Sequence, residues 1–338
     1  MDKSAFYVAG VPESFKEQLI QEMHFTTGAI PVTYVGVPLS SRKLTIQQCL
    51  PLVEKITARV SCWTSKLLSY SGRLQLIKSV LFEMNTYWGQ VFLLPKKVIK
   101  MVNTICRVFL WTGSNVFSKK ALVAWDTICQ PQAAGGLNVI AFEQWNKAAI
   151  CKLLWALTHR KETLWVQWIH GYYIKCQDLA SMSTPKQACW IVRKIFEAKS
   201  WFPNTNAITH LNQFEVGGRF NIKKTYTAWF PQLPRPNWKN LLLSSGPLPR
   251  HHFILWLAVQ NRLATVDRLA KWNIQVPMEC VMCSSQAVET MQHLFFDCTY
   301  SKYIWHTILT WLGIQKQIGT WEEEVQWLSQ RVKNKRPR

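Results

Sequence analysis

The sequence predicts a mainly α-helical protein: a helical bundle, then a smaller helical domain built around a cysteine and histidine cluster, with a short N-terminal β-hairpin. Three observations predict this. Apolar residues recur at three- and four-residue steps from about residue 45 to 160, and again from 250 to 272, the period of one helix face. Strand character is concentrated in Pro31-Val-Thr-Tyr-Val-Gly-Val-Pro38, where β-branched residues stand between prolines. Finally, three cysteines and a histidine gather between residues 280 and 298.

Composition bounds the reading. A chain of 338 residues with 48% hydrophobic content can bury two or three cores. Its eighteen tryptophans are large packing elements. Forty Lys and Arg against nineteen Asp and Glu leave a net charge of +21, a field that favours polyanions such as nucleic acid. Simple solubility is the plainer reading of that charge. From Ser41 to Trp125, however, thirteen basic residues face only Glu54 and Glu83. No apolar run reaches the roughly 18 to 20 residues that span a bilayer, so no membrane role is expected. The start, MDKSAFYVAG, lacks the pattern of a secretory signal. Ten cysteines in such a chain imply a reducing, intracellular compartment and metal ligation over disulfides.

The elements follow in order. Residues 1–44 end in the hairpin. Leu52, Ile56, Val60, Trp63 and Leu67 then form one apolar stripe, with Lys55, Arg59 and Lys66 clustered about 80° round the same helix. Leu74, Ile77, Leu81, Met84 and Trp88 repeat the pattern behind Ser71 as N-cap. Pro95 suits the first turn of a helix bearing Val98, Val102, Ile105 and Phe109. Gly135-Gly136 marks a turn before a helix from about Phe142 through Trp155. These make a basic bundle over residues 45–175, in which Arg73 and Lys78 join the three cations above as candidate phosphate contacts.

A connector of loops and one or two short helices is expected over 176–217, marked by Pro185, Pro203, Asn204, Asn206 and Gly217-Gly218. Five prolines between 230 and 250 exclude one regular helix there, before helical patterning returns over 250–272. The last eight residues, RVKNKRPR, close a tail from 313 to 338 and are expected to be disordered. They read as a nuclear-import signal, a phosphate-binding arm or a solvated end.

The strongest chemical signal is Cys280-x2-Cys283-x9-His293-x4-Cys298. A Cys-x2-Cys pair lets one tight turn present two thiolates to one ion, and a tetrahedral zinc takes four such ligands. Leu294, Phe295 and Phe296 would anchor the second pair to a core. His306 is the rival fourth ligand, eight residues beyond Cys298. With four protein ligands the ion has no open position, so one structural zinc per chain is expected. The other seven cysteines show no ligand spacing and read as core or surface thiols.

At this point a family resemblance can be stated. Tyr34-Val-Gly-Val-Pro-Leu39, Trp63-Thr-Ser-Lys-Leu-Leu-Ser-Tyr-Ser-Gly-Arg73-Leu, Phe109-Leu-Trp111, Gly135-Gly-Leu137 and Trp145-Asn146-Lys-Ala148 together resemble plant LINE-type (non-LTR) reverse transcriptases just after their palm. Residues 218–312, with Phe220, Tyr226, Trp256-Leu257, Arg262-Leu-Ala-Thr265, the four ligands and Trp305, resemble the zinc-binding domain that follows. The resemblance implies that Tyr34, Val35 and Gly36 are similar to a primer grip. It implies that the bundle corresponds to a thumb holding template-primer duplex by its backbone.

The family's polymerase clamps two metals on paired carboxylates, whereas no two of the five aspartates here are closer than thirty residues. The expectation is a non-catalytic part of a retroelement polymerase, binding zinc and the backbone of RNA or DNA duplex. The alternative is a domesticated or inert protein-interaction module. A third reading is a subunit completed in trans by a palm-bearing chain.

Overall fold

The computed structural model describes residues 5–7, 11–23, 26–28, 32–34, 36–63, 68–160, 162–202, 207–230, 233–243 and 248–334. Among these, sixteen α-helices and three two-stranded sheets make the chain mainly α. The chain builds two compact units, one from residues 1–58, 82–102 and 142–230, the other from 59–81, 103–141 and 231–338.

Strand β1 (Ala5–Phe6) precedes α1 (Glu13–Met23) and pairs in parallel with β2 (Thr26–Thr27). The expected hairpin is β3 (Val32–Tyr34) against β4 (Val37–Leu39), with Gly36 at φ +80° in its turn. Helix α2 (Ile46–Cys62) opens on a reciprocal capping box. The Thr45 hydroxyl accepts from the Gln48 N–H at 3.2 Å, and the Gln48 side chain accepts from the Thr45 N–H at 2.9 Å. Its stripe is buried at Leu52, Ile56 and Val60. The helix stops at Cys62, short of Leu67; Trp63 lies just beyond it with its ring 5.3 Å from Phe109, and Lys66 and Leu67 fall outside the described residues.

Helix α3 (Tyr70–Leu76) is capped by Ser69, whose hydroxyl accepts from the Gly72 N–H at 3.2 Å, and not by Ser71. A π turn over 77–81 leads into α4 (Phe82–Val91), and Ile77, Leu81 and Trp88 are buried. One extra residue per turn is invisible to a 3.6-residue pattern, which reads straight through it. Before α5 (Lys96–Thr112), the Pro95 carbonyl accepts from the N–H groups of Val98 (2.9 Å) and Ile99 (3.2 Å). The proline therefore sits at the cap, one residue earlier than expected. After α6 (Trp125–Cys129), Gly135 ends a 3₁₀ turn at φ +91°, and a side chain at Gly136 would collide with the Gln130 carbonyl.

Helix α7 (Phe142–His159) is the central helix of the first unit. It packs on α4 where Gly89 leaves room: a Cβ there would stand 2.8 Å from the Phe142 ring and 3.1 Å from that of Trp145. The fully buried Asn146 completes this contact. Its amide donates to the carbonyls of Gly89 (2.6 Å) and Phe92 (2.8 Å), and its carbonyl accepts from the Leu94 N–H at 2.8 Å. The end of α4 is thus capped from another helix, satisfying groups that a helix terminus leaves open.

The first unit continues through α8 (Leu164–Ile169), a π turn over 170–174, α9 (Trp190–Glu197) and α10 (Ala207–Asn212). Strands β5 (Glu215–Val216) and β6 (Arg219–Phe220) follow. Gly217 and Gly218, at φ +57° and +71°, make their turn, the two positive values a tight hairpin of this hand requires. Helix α11 (Ile222–Ala228) is capped by Asn221 and packs on α7. Leu154, Ile169, Ile174, Val192, Phe196, Phe214 and Phe220 form the shared core.

The second unit ends with α12 (Lys239–Leu243), α13 (Pro249–Val259), α14 (Val266–Lys271), α15 (Thr299–Trp311) and α16 (Trp321–Asn334). The helical patterning over 250–272 is realised as two helices, α13 and α14, with Asn261 between them at φ +52°, outside the helical region. Trp256 is fully buried and donates its indole N–H to the Gly135 carbonyl at 2.8 Å. Residues 331–334, expected to be disordered, belong to α16; 335–338 lie outside the described residues. Among the described residues, no helix is long and apolar enough to cross a membrane.

Candidate metal centre

The Cys-x2-Cys half is carried by a small β-turn structure. Glu279 pairs with Val288 as an antiparallel bridge, the Cys280 N–H donates to the Ala287 carbonyl at 2.9 Å, and the Glu289 N–H donates to Met278 at 3.0 Å. Gln286 takes φ +52° in the turn. These bonds hold Cys280 and Cys283 at the base and tip of one knuckle.

The His-x4-Cys half is built differently from a helix end. Residues His293–Asp297 form one π turn, and the Cys298 N–H closes it on the His293 carbonyl at 2.7 Å. A spacing of five positions is the hydrogen-bond step of a π turn, so both ligands emerge on one side. Cys298 is also the N-cap of α15, with no side-chain cap bond of its own. Its sulfur is left for a ligand, at the helix end that favours a thiolate. The turn is fastened to the core through aromatic rings: Phe296 lies 5.9 Å from Trp305 and 5.7 Å from Trp321, and Phe295 lies 5.2 Å from Trp321. The Trp321 N–H donates to the Gln292 side chain at 2.6 Å.

The four ligand atoms lie within 4.8 Å of one another. Cys280 and Cys298 sulfurs are 4.0 Å apart, and the Cys283 sulfur is 3.3 Å from His293 Nε2. Tetrahedral bonds of about 2.3 Å to sulfur place neighbouring sulfurs about 3.8 Å apart, so the cluster fits an ion of zinc's size with little movement. Cys280, His293 and Cys298 are buried and Cys283 is half-buried.

The thiols are unequal. The Ser285 hydroxyl, 2.9 Å from Cys283, and the Ser285 backbone hold that thiol down at about 6, with His293 adding to the effect. Burial pushes the Cys280 thiol up. Cys283 is therefore a thiolate at neutral pH, ready to receive a cation, and Cys280 releases its proton when one arrives. Sequence reasoning overlooked Ser285, and its place two residues after the second cysteine was the available signal.

His306 is exposed on α15 and outside the four-atom group. Four acids outside the cluster are engaged locally. Asp267 accepts from Thr265, Asp297 accepts from Gln292 at 2.9 Å, and Glu323 completes a capping box with Thr320. Glu324 is fully buried and paired with Lys316. Burial pushes the thiols of Cys49 up to about 11 and of Cys106 and Cys129 up to about 12.

Of the candidate phosphate contacts, Lys55 and Arg59 are exposed one turn apart on α2. Arg73 is half-buried; it donates to the Leu110 carbonyl at 3.3 Å, its guanidinium stands 5.4 Å from the Tyr70 ring centre, and burial lowers its pKa. Lys78 is half-buried in the π turn, and burial lowers its pKa too. Tyr34 and Gly36 are exposed in the hairpin, and Val35 lies outside the described residues.

Residues 220–305 match the family model described as zinc-binding in reverse transcriptase, and all four ligands fall inside that span. The chain is also similar to a protein of Arabidopsis thaliana named as a putative ribonuclease H protein, with 28% identity over 165 residues. The match takes in 49% of this chain and 26% of that relative. The chain thus spans about a quarter of the length of the curated relative it matches.

Proposed function

We propose that the chain is a non-catalytic part of a non-LTR retroelement reverse transcriptase, holding the backbone of RNA or DNA duplex on a scaffold fixed by one structural zinc. The observation that carries this reading is the four-ligand cluster within 4.8 Å, inside the segment that matches a reverse-transcriptase zinc-binding family. Four protein ligands leave no coordination position for substrate, so the ion stabilises the fold and polarises nothing. Cys280, Cys283, His293 and Cys298 would hold it.

The exposed Lys55 and Arg59 on α2 supply phosphate contacts, in a chain of net charge +21. A palm-bearing polymerase chain acting in trans is the protein partner this reading implies, and the basic C-terminus is compatible with a nuclear location. Neither polymerase nor ribonuclease chemistry is proposed for the chain. Both run on two metal ions held by converging carboxylates, and among the described residues the clustered metal ligands are cysteines and histidine.

The test is a salt titration of duplex binding by the zinc-loaded full chain. Neutralising Lys55, Arg59 and Lys66 together is expected to flatten the slope of log affinity against log salt by up to about 3, near 0.9 per lost contact. An unchanged slope would remove the basic stripe from the reading. No primer extension is expected with magnesium or manganese. Product above a no-enzyme control, abolished by Asp297→Asn, would show that a carboxylate site exists. Nucleic-acid binding absent at low salt would favour the protein-interaction module instead.

A further inference from the structure

The first unit carries an aromatic surface that neither the metal centre nor the basic stripe uses. Trp168 on α8 and Tyr172 in the following π turn are 52% and 64% exposed. Their ring planes differ by only 13°, with centroids 6.0 Å apart. Near-parallel rings at that separation are offset-stacked and leave much of each ring open to water. Tyr173 braces both edge-on, at 5.4 Å and 87° to Trp168 and at 4.9 Å and 75° to Tyr172. Ile169 and Ile174, buried on the opposite side, pin the segment to the core.

Two aromatic rings left facing water in this way mark a contact surface, and charge indicates its partner. Between residues 150 and 200 the chain has eight lysines and arginines against three acids. Lys175, just beyond the rings, is exposed and takes φ +51°, ψ −116°. Glycine adopts that conformation freely and lysine does not. The strained position nonetheless carries a lysine, exposed and three residues after Tyr172. Flat rings beside cations are how unpaired bases and their phosphates are held without sequence preference, since every base offers a π face.

We propose that Trp168 and Tyr172 form a stacking platform for the bases of single-stranded RNA or DNA, with Lys175 contacting its backbone. These residues are separate from those of the duplex-binding reading, and either idea can fail alone.

The experiment is fluorescence anisotropy of labelled oligo(dT) and oligo(U), with matched duplex as control, on the zinc-loaded full chain. Loss of one stacked base is expected to weaken single-strand binding by roughly 5- to 150-fold. Trp168→Ala and Tyr172→Ala should each fall in that range, Trp168→Phe should retain most affinity, and the double variant should keep the wild-type salt slope because it removes no charge. Lys175→Gly is expected to flatten the slope by about 0.7 while the thermal midpoint stays or rises. Circular dichroism checks that each variant is folded. Wild-type-like single-strand binding by the double variant would overturn the proposal, as would equal losses on single strand and duplex, or no single-strand binding by the wild type at low salt.

Discussion

Replacing Asn146 tests how the first unit is held together. Its side chain makes three buried hydrogen bonds, two donated to the carbonyls of Gly89 and Phe92 and one accepted from Leu94. Asn146→Ala leaves two carbonyls and one N–H in a fully buried site beside Phe142 and Trp145. Each stranded group costs about 1–3 kcal/mol; partial relaxation lowers the sum, and a loss of about 3–5 kcal/mol is expected.

Asn146→Asp sharpens the test because it preserves shape. It keeps the acceptor for Leu94 but turns both donors into an oxygen facing two carbonyls. The charged form is disfavoured there, so the folded-state pKa rises above the ordinary value of about 3.9. Between that value and the raised one the folded state binds more protons than the unfolded state, so stability falls as pH rises through the window. The aspartate variant should therefore be less damaged at pH 4 than at pH 7, relative to wild type. Urea unfolding of the zinc-loaded chain, followed by circular dichroism, gives the change from midpoint and slope. A loss below about 1 kcal/mol for the alanine variant, or no pH difference for the aspartate one, would refute the account of Asn146 as a helix cap supplied from α7.

Other expectations follow from the second unit and the thiols. Purified protein should contain about one zinc per chain, and Cys283→Ser should release it and unfold the region from about 250 to 312, because ligation and folding are coupled in structural sites; metal-free folded protein by elemental analysis would contradict this. With iodoacetamide near neutral pH, the exposed Cys62 and Cys176 should react at once, and the buried Cys49, Cys106 and Cys129 only in denaturant. Glu324→Gln should cost about 2 kcal/mol, below the range for a fully buried pair because the Lys316 side chain keeps 22% exposure; an unchanged midpoint would show that the pair is neutral to stability.

The Cys/His cluster that could hold a metal was legible in the sequence because ligand chemistry is local. A Cys-x2-Cys pair needs only a tight turn, and the x4 gap needs only one hydrogen-bonded turn, so residue types and short spacings determine most of the site. What the spacing did not reveal was the kind of turn. A π turn and a helix end present the same intervals, and the closing bond from Cys298 to His293 distinguishes them. Ser285 escaped notice because its place two residues after Cys283 does not say which way its hydroxyl turns.

By itself the sequence determined the mainly helical class, the hairpin near residue 35 and the Cys/His cluster that could hold a metal. Each follows from period, turn chemistry or ligand type over a few residues. Tertiary structure alone decided where helices stop and what closes them. Asn146 caps α4 from fifty-odd positions away in the chain, Asn261 divides the helical stretch over 250–272 in two, and the Trp256 indole finds its partner at Gly135. A buried polar group must be paired whatever the distance along the chain, and its partner appears only once the chain has folded. Exposure is the other late arrival: eighteen tryptophans read alike in the sequence, and packing alone put Trp256 in the core and left Trp168 facing water.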